Sequence, residues 1–166
     1  MNELLIIFIL KTGSANIYEI RKQINFLFAP FVQLSTGAII PTLNRLEKKG
    51  IVQNEKTISD GGLKKTVYNL TDEAEKYFSE IIENIPNSAP QILRRDIETL
   101  FMLLKHHSLN SEENSLIINK LKELLDINIK SLETTLKANK MNIEFIKTEL
   151  KNSLEKLNSL NEIIED

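Results

Sequence analysis

The last third of the chain, residues 112–166, contains no glycine and no proline. Its leucines and isoleucines recur at steps of mostly three and four residues, the spacing that places side chains on one face of an α-helix. A helix of about fifty residues would span ~80 Å, and an apolar stripe of that length must pack against something. The stripe comprises Leu121, Leu125, Leu132, Leu136, Ile143, Ile146, Leu150, Leu154 and Leu157.

Three arrangements would cover this stripe, and the sequence leaves them open. The helix folds back on itself near residues 137–142, or pairs with a second copy of the chain, or does both. Asn128 and Asn139 interrupt the stripe, as polar residues do when they set the register of a coiled coil. We expect the nine apolar residues of the stripe to form a dimer interface.

The opposite end of the chain begins with an apolar run, Leu4–Leu10. A secretory signal would carry a basic region before such a run and a small-residue cleavage site after it, and neither is present. The run is also far shorter than the ~20 residues of a membrane span. It predicts a buried first helix, Asn2–Lys11, in a cytoplasmic protein without membrane contact, and the absence of cysteine is consistent with that location.

Two further helices follow in the first half of the chain. Ser14 or Asn16 is a candidate N-cap for a helix over Ile17–Ala29, which Pro30 ends. The next helix, Ser35–Gly50, carries Pro41 in its interior, where proline removes a backbone donor and crowds the carbonyl four residues earlier. That earlier residue is Gly37, which has no side chain, so we expect the helix to bend there rather than break.

A hairpin and a linker complete the first half. Residues 51–58 and 63–70 read as two strands around the turn "SDGG", and Thr71 is a candidate N-cap for a fourth helix. The proline-rich "IPNSAP" then marks a boundary, so we predict domains at 1–85 and 91–166 joined by a linker at 86–90. Further helices are predicted from Gln91 to His107 and from Glu112 onward, with Ser111 and Asn114 as a partial capping pattern. The predicted fold class is mainly α with one small β-hairpin.

The order of these elements is that of a winged helix-turn-helix, and three motifs resemble the PadR family of transcriptional regulators. They are "IYEIRKQI" (17–24), "STGAIIPTLNRLEKKGIV" (35–52) and "GGLKKTVYNLTDEAEKYF" (61–78), which together cover about half of the chain. The resemblance implies homodimers that bind palindromic operator DNA and usually repress. The chain departs from the family pattern at Ile40, where tyrosine is usual, and at Leu63, where arginine is usual. Carried over residue by residue, it places at the DNA Ser35, Thr36, Thr42, Asn44, Arg45 and Lys48 of the third helix, and Lys64, Lys65 and Tyr68 of the wing.

Local charge agrees with this resemblance but does not decide it. The chain has a net charge of −2, whereas residues 35–68 contain six basic and three acidic residues. On the third helix, Asn44 and Arg45 are suited to base contacts, yet they would also suit an ordinary solvated face. Arg45 has further possible partners in a glutamate of its own helix or in the wing. Lys64 and Lys65 either contact phosphates or protect a strand edge from aggregation.

No enzyme is predicted, since no nucleophile–base set, phosphate loop or carboxylate pair stands out, and we predict no cofactor. His106 and His107 are adjacent on a helix and make a poor chelate without a third ligand. The apolar residues 101–104 are read as core, with an effector cavity as the less favoured reading, so any small-molecule effector is unknown. The leading interpretation is a DNA-binding homodimeric repressor. The alternative is a winged-helix module that binds protein and makes no specific DNA contact.

Overall fold

The computed structural model describes residues 1–29, 31–58, 64–85, 90–105, 109–138 and 143–165. Within these ranges it contains helices and one two-stranded antiparallel sheet, in the order expected from the sequence. The elements are α1 Asn2–Leu10, α2 Ile17–Leu27, α3 Thr36–Lys48, β1 Val52–Ile58, β2 Lys64–Leu70, α4 Ala74–Glu83, α5 Pro90–Leu104, α6 Ser111–Ala138 and α7 Ile143–Glu165.

Helix α1 lies at the centre of the N-terminal half. Every residue from Leu4 to Leu10 is buried, which requires neighbours on all sides of the helix. Those neighbours include α2, α3 and α4, and the ring of Phe8 meets that of Phe28 edge-on at 5.8 Å between centroids. The prediction of a buried first helix is confirmed.

Asn16, one of the two candidate caps, begins α2. Its side-chain oxygen accepts from the backbone N–H of Glu19 at 3.0 Å, and the Glu19 carboxylate accepts from the backbone N–H of Asn16 at 2.8 Å. This reciprocal capping box satisfies two donors that a helix start otherwise leaves unpaired. The helix ends at Leu27, two residues earlier than predicted.

Helix α3 is continuous through Pro41, and the residue one turn earlier is Gly37. Ser35 occupies the N-cap position as expected, although its side chain makes no capping hydrogen bond. At the other end, the Ile51 N–H bonds to the Leu46 carbonyl and the Gly50 N–H to the Glu47 carbonyl. This double closure needs a left-handed residue, and Gly50 has a φ of 72°.

The predicted hairpin is formed by β1 and β2, with Val52 opposite Leu70 and Ile58 opposite Lys64. The turn "SDGG" and Leu63 lie outside the described residues. Tyr68 exchanges both backbone hydrogen bonds with Ala15, which fastens β2 to the segment before α2. Thr71 does not cap α4, contrary to expectation, because its hydroxyl instead donates to the Gly50 carbonyl at 2.6 Å and α4 begins after Glu73.

The C-terminal stripe folds back on itself. Helices α6 and α7 pack against each other, and the Asn128 amide donates to the Ser153 hydroxyl across their interface at 2.9 Å. Of the predicted fold-back segment, 137–142, residues 139–142 lie outside the described residues, as do the histidines 106 and 107; Asn139 is among these four.

Asn110 caps α6, rather than Ser111 with Asn114. The Asn110 side chain accepts from the Glu113 N–H at 2.9 Å, and the Glu113 carboxylate accepts from the Asn110 N–H at 3.1 Å. The same carboxylate is only 2% exposed and pairs with Lys11 at the end of α1. The amine of Lys11 also lies 5.2 Å from the centre of the Phe78 ring.

This packing corrects part of the predicted dimer stripe. Leu121 and Leu125 are fully buried within the chain, and Ile146 nearly so, because α6 packs against α4, α5 and α7. Side chains in the core of one chain have no surface to offer a second chain. Leu132, Leu150 and Leu157 are half-buried and Leu154 is exposed, while the side chains of Leu136 and Ile143 lie outside the described set.

Candidate nucleic-acid interface

Helix α3 presents a narrow ridge to solvent. Gly37, Pro41, Asn44 and Lys48 are all exposed and follow one another at steps of four, three and four residues. We call these four residues the α3 ridge. The opposite face of the helix is buried through Ile39, Leu43 and Leu46. The ridge therefore combines two positions without long side chains, in the first half of the helix, with two polar positions in the second half.

Thr42 is not on this ridge, which corrects its assignment to the DNA. The residue is 1% exposed, and its hydroxyl donates to the Ala38 carbonyl at 2.7 Å. That hydroxyl also accepts from Arg45 Nη2 at 3.3 Å. Thr42 faces the core because it lies one turn after Ile39 and next to Leu43.

Arg45 points toward α1 and away from the α3 ridge. Its Nε lies 3.2 Å from Oε1 of Glu3, a residue of the first turn of α1. The Arg45 side chain is nevertheless 56% exposed to solvent. Arg45 therefore pairs neither with a glutamate of its own helix nor with the wing, the two alternatives left open by the sequence. Its partner is the α1 carboxylate more than forty positions earlier in the chain.

Glu3 is the centre of a polar cluster that joins three helices. Oε2 of Glu3 accepts from Lys49 Nζ at 3.2 Å and from the Tyr77 hydroxyl of α4 at 2.5 Å. Burial acts to raise the pKa of Glu3, but the hydrogen bonds from Tyr77, Arg45 and Lys49 outweigh it, and the net pKa lies below the ordinary value. The hydrogen bond with Tyr77 raises the pKa of Lys49. Glu3 is therefore a carboxylate at neutral pH and Lys49 a cation.

The start of α3 contacts Arg21 of α2, which in turn contacts Tyr18, and neither residue was predicted from the sequence. Arg21 Nη1 lies 3.5 Å from the hydroxyl of Thr36, and the Arg21 guanidinium lies 5.7 Å from the centre of the exposed Tyr18 ring. Ser35 and Thr36 are exposed beside them. Tyr18 and Arg21 are three residues apart on the polar side of an amphipathic helix, and that spacing was the available signal.

The strand register divides the wing lysines between two faces. Side chains of paired residues lie on the same face, and successive residues alternate. Lys64, opposite Ile58, therefore shares a face with Tyr68, opposite Asn54, whereas Lys65 lies on the other face. The Asn54 amide bonds to the Glu47 carboxylate, so the face with Lys64 is the one beside α3.

Lys56 belongs to the same face as Lys64, because it pairs with Thr66. It is exposed, and it was not among the residues selected from the sequence although the alternation of strand side chains would have indicated it. Tyr68 is half-buried, and burial raises the pKa of its hydroxyl. We call Lys56, Lys64 and Tyr68 the α3-side wing face.

Other kinds of site find little support in the part of the chain that is described. It holds no group of three or more metal-ligating side chains. None of its helices combines the length and the apolar composition that crossing a bilayer requires. A small cavity of about 40 Å³ lies among α5, α6 and α7 and is lined partly by charged residues that pair with one another.

Comparison with protein families accounts for the N-terminal half. Residues 6–80 match the model of the transcriptional regulator PadR-like family. This segment is a PadR-like domain. It extends from α1 into α4 and includes the α3 ridge and the whole hairpin, so the family suggested by the three sequence motifs is confirmed. Among curated proteins no match to the chain was found.

Several solved structures resemble this chain. Bacillus subtilis PadR, solved in complex with operator DNA, is 17% identical over 98% of this chain and 96% of its own, with a TM-score of 0.47. A Streptococcus mutans protein is 25% identical over 99% of this chain and 98% of its own, with a TM-score of 0.43. A PadR family regulator from Clostridium difficile is 22% identical over 60% and 97%, with a TM-score of 0.44.

Proposed function

We propose that this protein is a DNA-binding transcriptional repressor that acts as a homodimer on a palindromic operator. The observation that carries the proposal is the α3 ridge, because it is an exposed helix face with the α3-side wing face next to it in a PadR-like domain. A helix with its outer face free can enter the major groove, and a hairpin beside it can reach the backbone.

The two halves of the ridge have different roles in this proposal. Gly37 and Pro41 carry little side chain, so the first half of α3 can approach the base edges closely. Asn44 is held by the helix and has both a donor and an acceptor, which suits the bidentate contact with adenine. Lys48 follows one turn later and supplies positive charge to a phosphate.

Backbone contacts come from the residues around the ridge. Ser35 and Thr36 at the start of α3, with Arg21 beside them, lie where phosphates meet exposed helix N–H groups. Lys56 and Lys64 contribute point charges from the α3-side wing face. These contacts fix the position of α3 on the duplex but carry no sequence information themselves.

The C-terminal helices supply the homodimer in this proposal. Leu154 of α7 is 43% exposed, and Leu150 and Leu157 on the same helix are half-buried, which leaves apolar surface for a second chain. A two-fold dimer places two α3 ridges on successive turns of one face of DNA, so its operator has two-fold symmetry. A protein with this function works in the cytoplasm, where its DNA is. The proposal does not depend on a small-molecule effector.

Selection from a random duplex pool tests the proposal. The full chain is incubated with the pool, bound DNA is recovered over several rounds, and the enriched duplex is compared with a shuffled duplex by fluorescence anisotropy. We expect an enriched sequence with two-fold symmetry and saturable binding that weakens with salt. An absence of enrichment together with salt-independent binding would favour the protein-binding module instead.

A further inference from the structure

Glu3 holds two of the basic side chains of the recognition region away from the α3 ridge. Arg45 and Lys49 both contact its carboxylate at 3.2 Å, from the last turn and the C-cap of α3. Lys48, between them in sequence, points outward on the ridge. Glu3 of α1 therefore determines where the side chains of Arg45 and Lys49 point.

The two cations are held but remain within reach of solvent. Arg45 is 56% exposed and Lys49 46% exposed, whereas the Glu3 side chain is only 18% exposed. Ion pairs with such exposure contribute little to stability, since water screens them and the long side chains lose freedom. A phosphate near either cation would have to displace the Glu3 carboxylate, because each cation already contacts this counterion.

We propose that Glu3 acts as an internal counterion that keeps Arg45 and Lys49 from DNA phosphates and so limits sequence-independent DNA binding. This inference rests on the proposed DNA-binding function. Each phosphate that a protein neutralises adds about −0.9 to the slope of log affinity against log salt. Because this electrostatic contribution acts on every duplex alike, two additional cations would strengthen binding to random DNA more than they would improve discrimination between sequences.

The geometry around Tyr77 separates this role from a merely structural one. The Tyr77 hydroxyl bonds to the same oxygen of Glu3 as Lys49 does, and Lys49 Nζ lies 4.7 Å from the Tyr77 ring centre. Tyr77→Phe removes a hydroxyl that donates to Glu3 and accepts from Lys49, and it changes no charge, whereas Glu3→Gln removes the counterion and retains an acceptor. Both variants loosen the junction of α1, α3 and α4, and only Glu3→Gln removes the negative charge that Arg45 and Lys49 share.

The test measures the binding of the full chain to a shuffled duplex over a series of NaCl concentrations. Glu3→Gln is expected to bind this duplex more tightly than the wild type and to steepen the salt slope by about 1–2 units per chain. Tyr77→Phe is expected to match the wild-type slope. In the Glu3→Gln background, the further changes Arg45→Gln and Lys49→Gln should remove the added slope.

A second comparison does not depend on Glu3→Gln being well folded. Arg45→Gln with Lys49→Gln in the otherwise wild-type chain should leave the slope within about half a unit of wild type, since these cations do not meet DNA. A slope flattened by about 2 units would show that they contact phosphates already and would overturn the inference. Equal slopes for wild type and a folded Glu3→Gln protein would overturn it as well. If the wild type binds no duplex at all, the proposed function fails first.

Discussion

Pro41 lies one helical turn after Gly37 on the exposed side of α3, and the helix continues through both. Proline lacks the N–H that would bond to the Gly37 carbonyl, and its ring crowds that carbonyl. The exposed position lets water take the place of the missing donor. The two residues together leave the start of the ridge without long side chains, beside the exposed Ile40.

Replacing Gly37 with alanine should therefore separate stability from DNA binding. The φ of Gly37 is not positive, and a Cβ at this position would meet only the Ser35 Oγ at 3.7 Å, an ordinary contact. Gly37→Ala should raise the free energy of unfolding by about 0.5–1 kcal/mol, measured in urea, through its better helix propensity. The added methyl group should weaken operator binding several-fold. Operator binding equal to wild type would mean that the first half of the ridge does not approach the DNA.

Asn44→Ala should reduce operator affinity by about 1–3 kcal/mol and leave affinity for a shuffled duplex nearly unchanged, because a base contact is sequence-dependent. Anisotropy titrations with both duplexes measure this. Asn54→Ala is a matched control, since the Asn54 amide is occupied by Glu47 beside α3. An equal loss on both duplexes would contradict base readout by Asn44.

The two adjacent wing lysines should behave differently. Lys64→Ala should flatten the salt slope by about 0.9 and weaken operator and shuffled duplex alike, because Lys64 lies on the α3-side wing face. Lys65→Ala should change the slope by much less, since its side chain emerges on the other face. The two single variants control for each other. Identical effects would indicate that DNA meets the edge of the hairpin rather than the face beside α3.

Acid should remove the stabilisation that Glu3 provides. Its folded-state pKa is lowered, so the contribution is complete above the unfolded pKa of about 4.3 and is lost as the pH falls through the folded value. At pH 7, Glu3→Gln should lower the free energy of unfolding by about 0.5–1 kcal/mol, because the two cations are half exposed and water screens their pairing. The difference from wild type should shrink toward pH 3 in urea titrations. A difference that is independent of pH would show that the charge of Glu3 contributes nothing to stability.

Leu154→Asp should weaken the homodimer. The side chain is exposed on α7, and a carboxylate there would have to be desolvated in an apolar interface. Light scattering of the full chain should give twice the mass of one chain for wild type and a concentration-dependent monomer fraction for the variant. Thr148→Asp adds the same charge at an exposed polar position of α7 and should remain dimeric. A Leu154→Asp dimer as tight as wild type would place the interface elsewhere.

Local patterns were sufficient for most of the fold. The run Leu4–Leu10 predicted α1 because only a helix surrounded by others can bury every residue, and Asn16 was one of two cap candidates because of its position before Ile17. The hairpin followed from turn residues between two β-prone segments. These features depend on neighbours in the sequence, which a single sequence contains.

Errors arose where the partner is distant in the sequence or a neighbour competes. Asn110 competed successfully with Ser111 for the cap of α6, since Glu113 lies at the third helical position from Asn110. The ion pair between Arg45 and Glu3 joins α3 to α1. The hydrophobic periodicity of a helix does not specify which other helix lies beside it or how close it lies. Leu121 and Leu125 had the spacing of a dimer seam, but the same spacing also suits the core of one chain, and α4 and α5 occupy that face.

The pairing of Lys11 with Glu113 limits how freely this protein can be recombined with its relatives. One side chain belongs to the PadR-like domain and the other caps α6, so the two halves share a buried charge. A chimera that joined residues 1–85 to the C-terminal helices of a relative without an acid at the equivalent of Glu113 would leave the Lys11 amine largely buried and without its counterion. The PadR-like domain and the C-terminal helices are thus transferable as a pair rather than as independent modules.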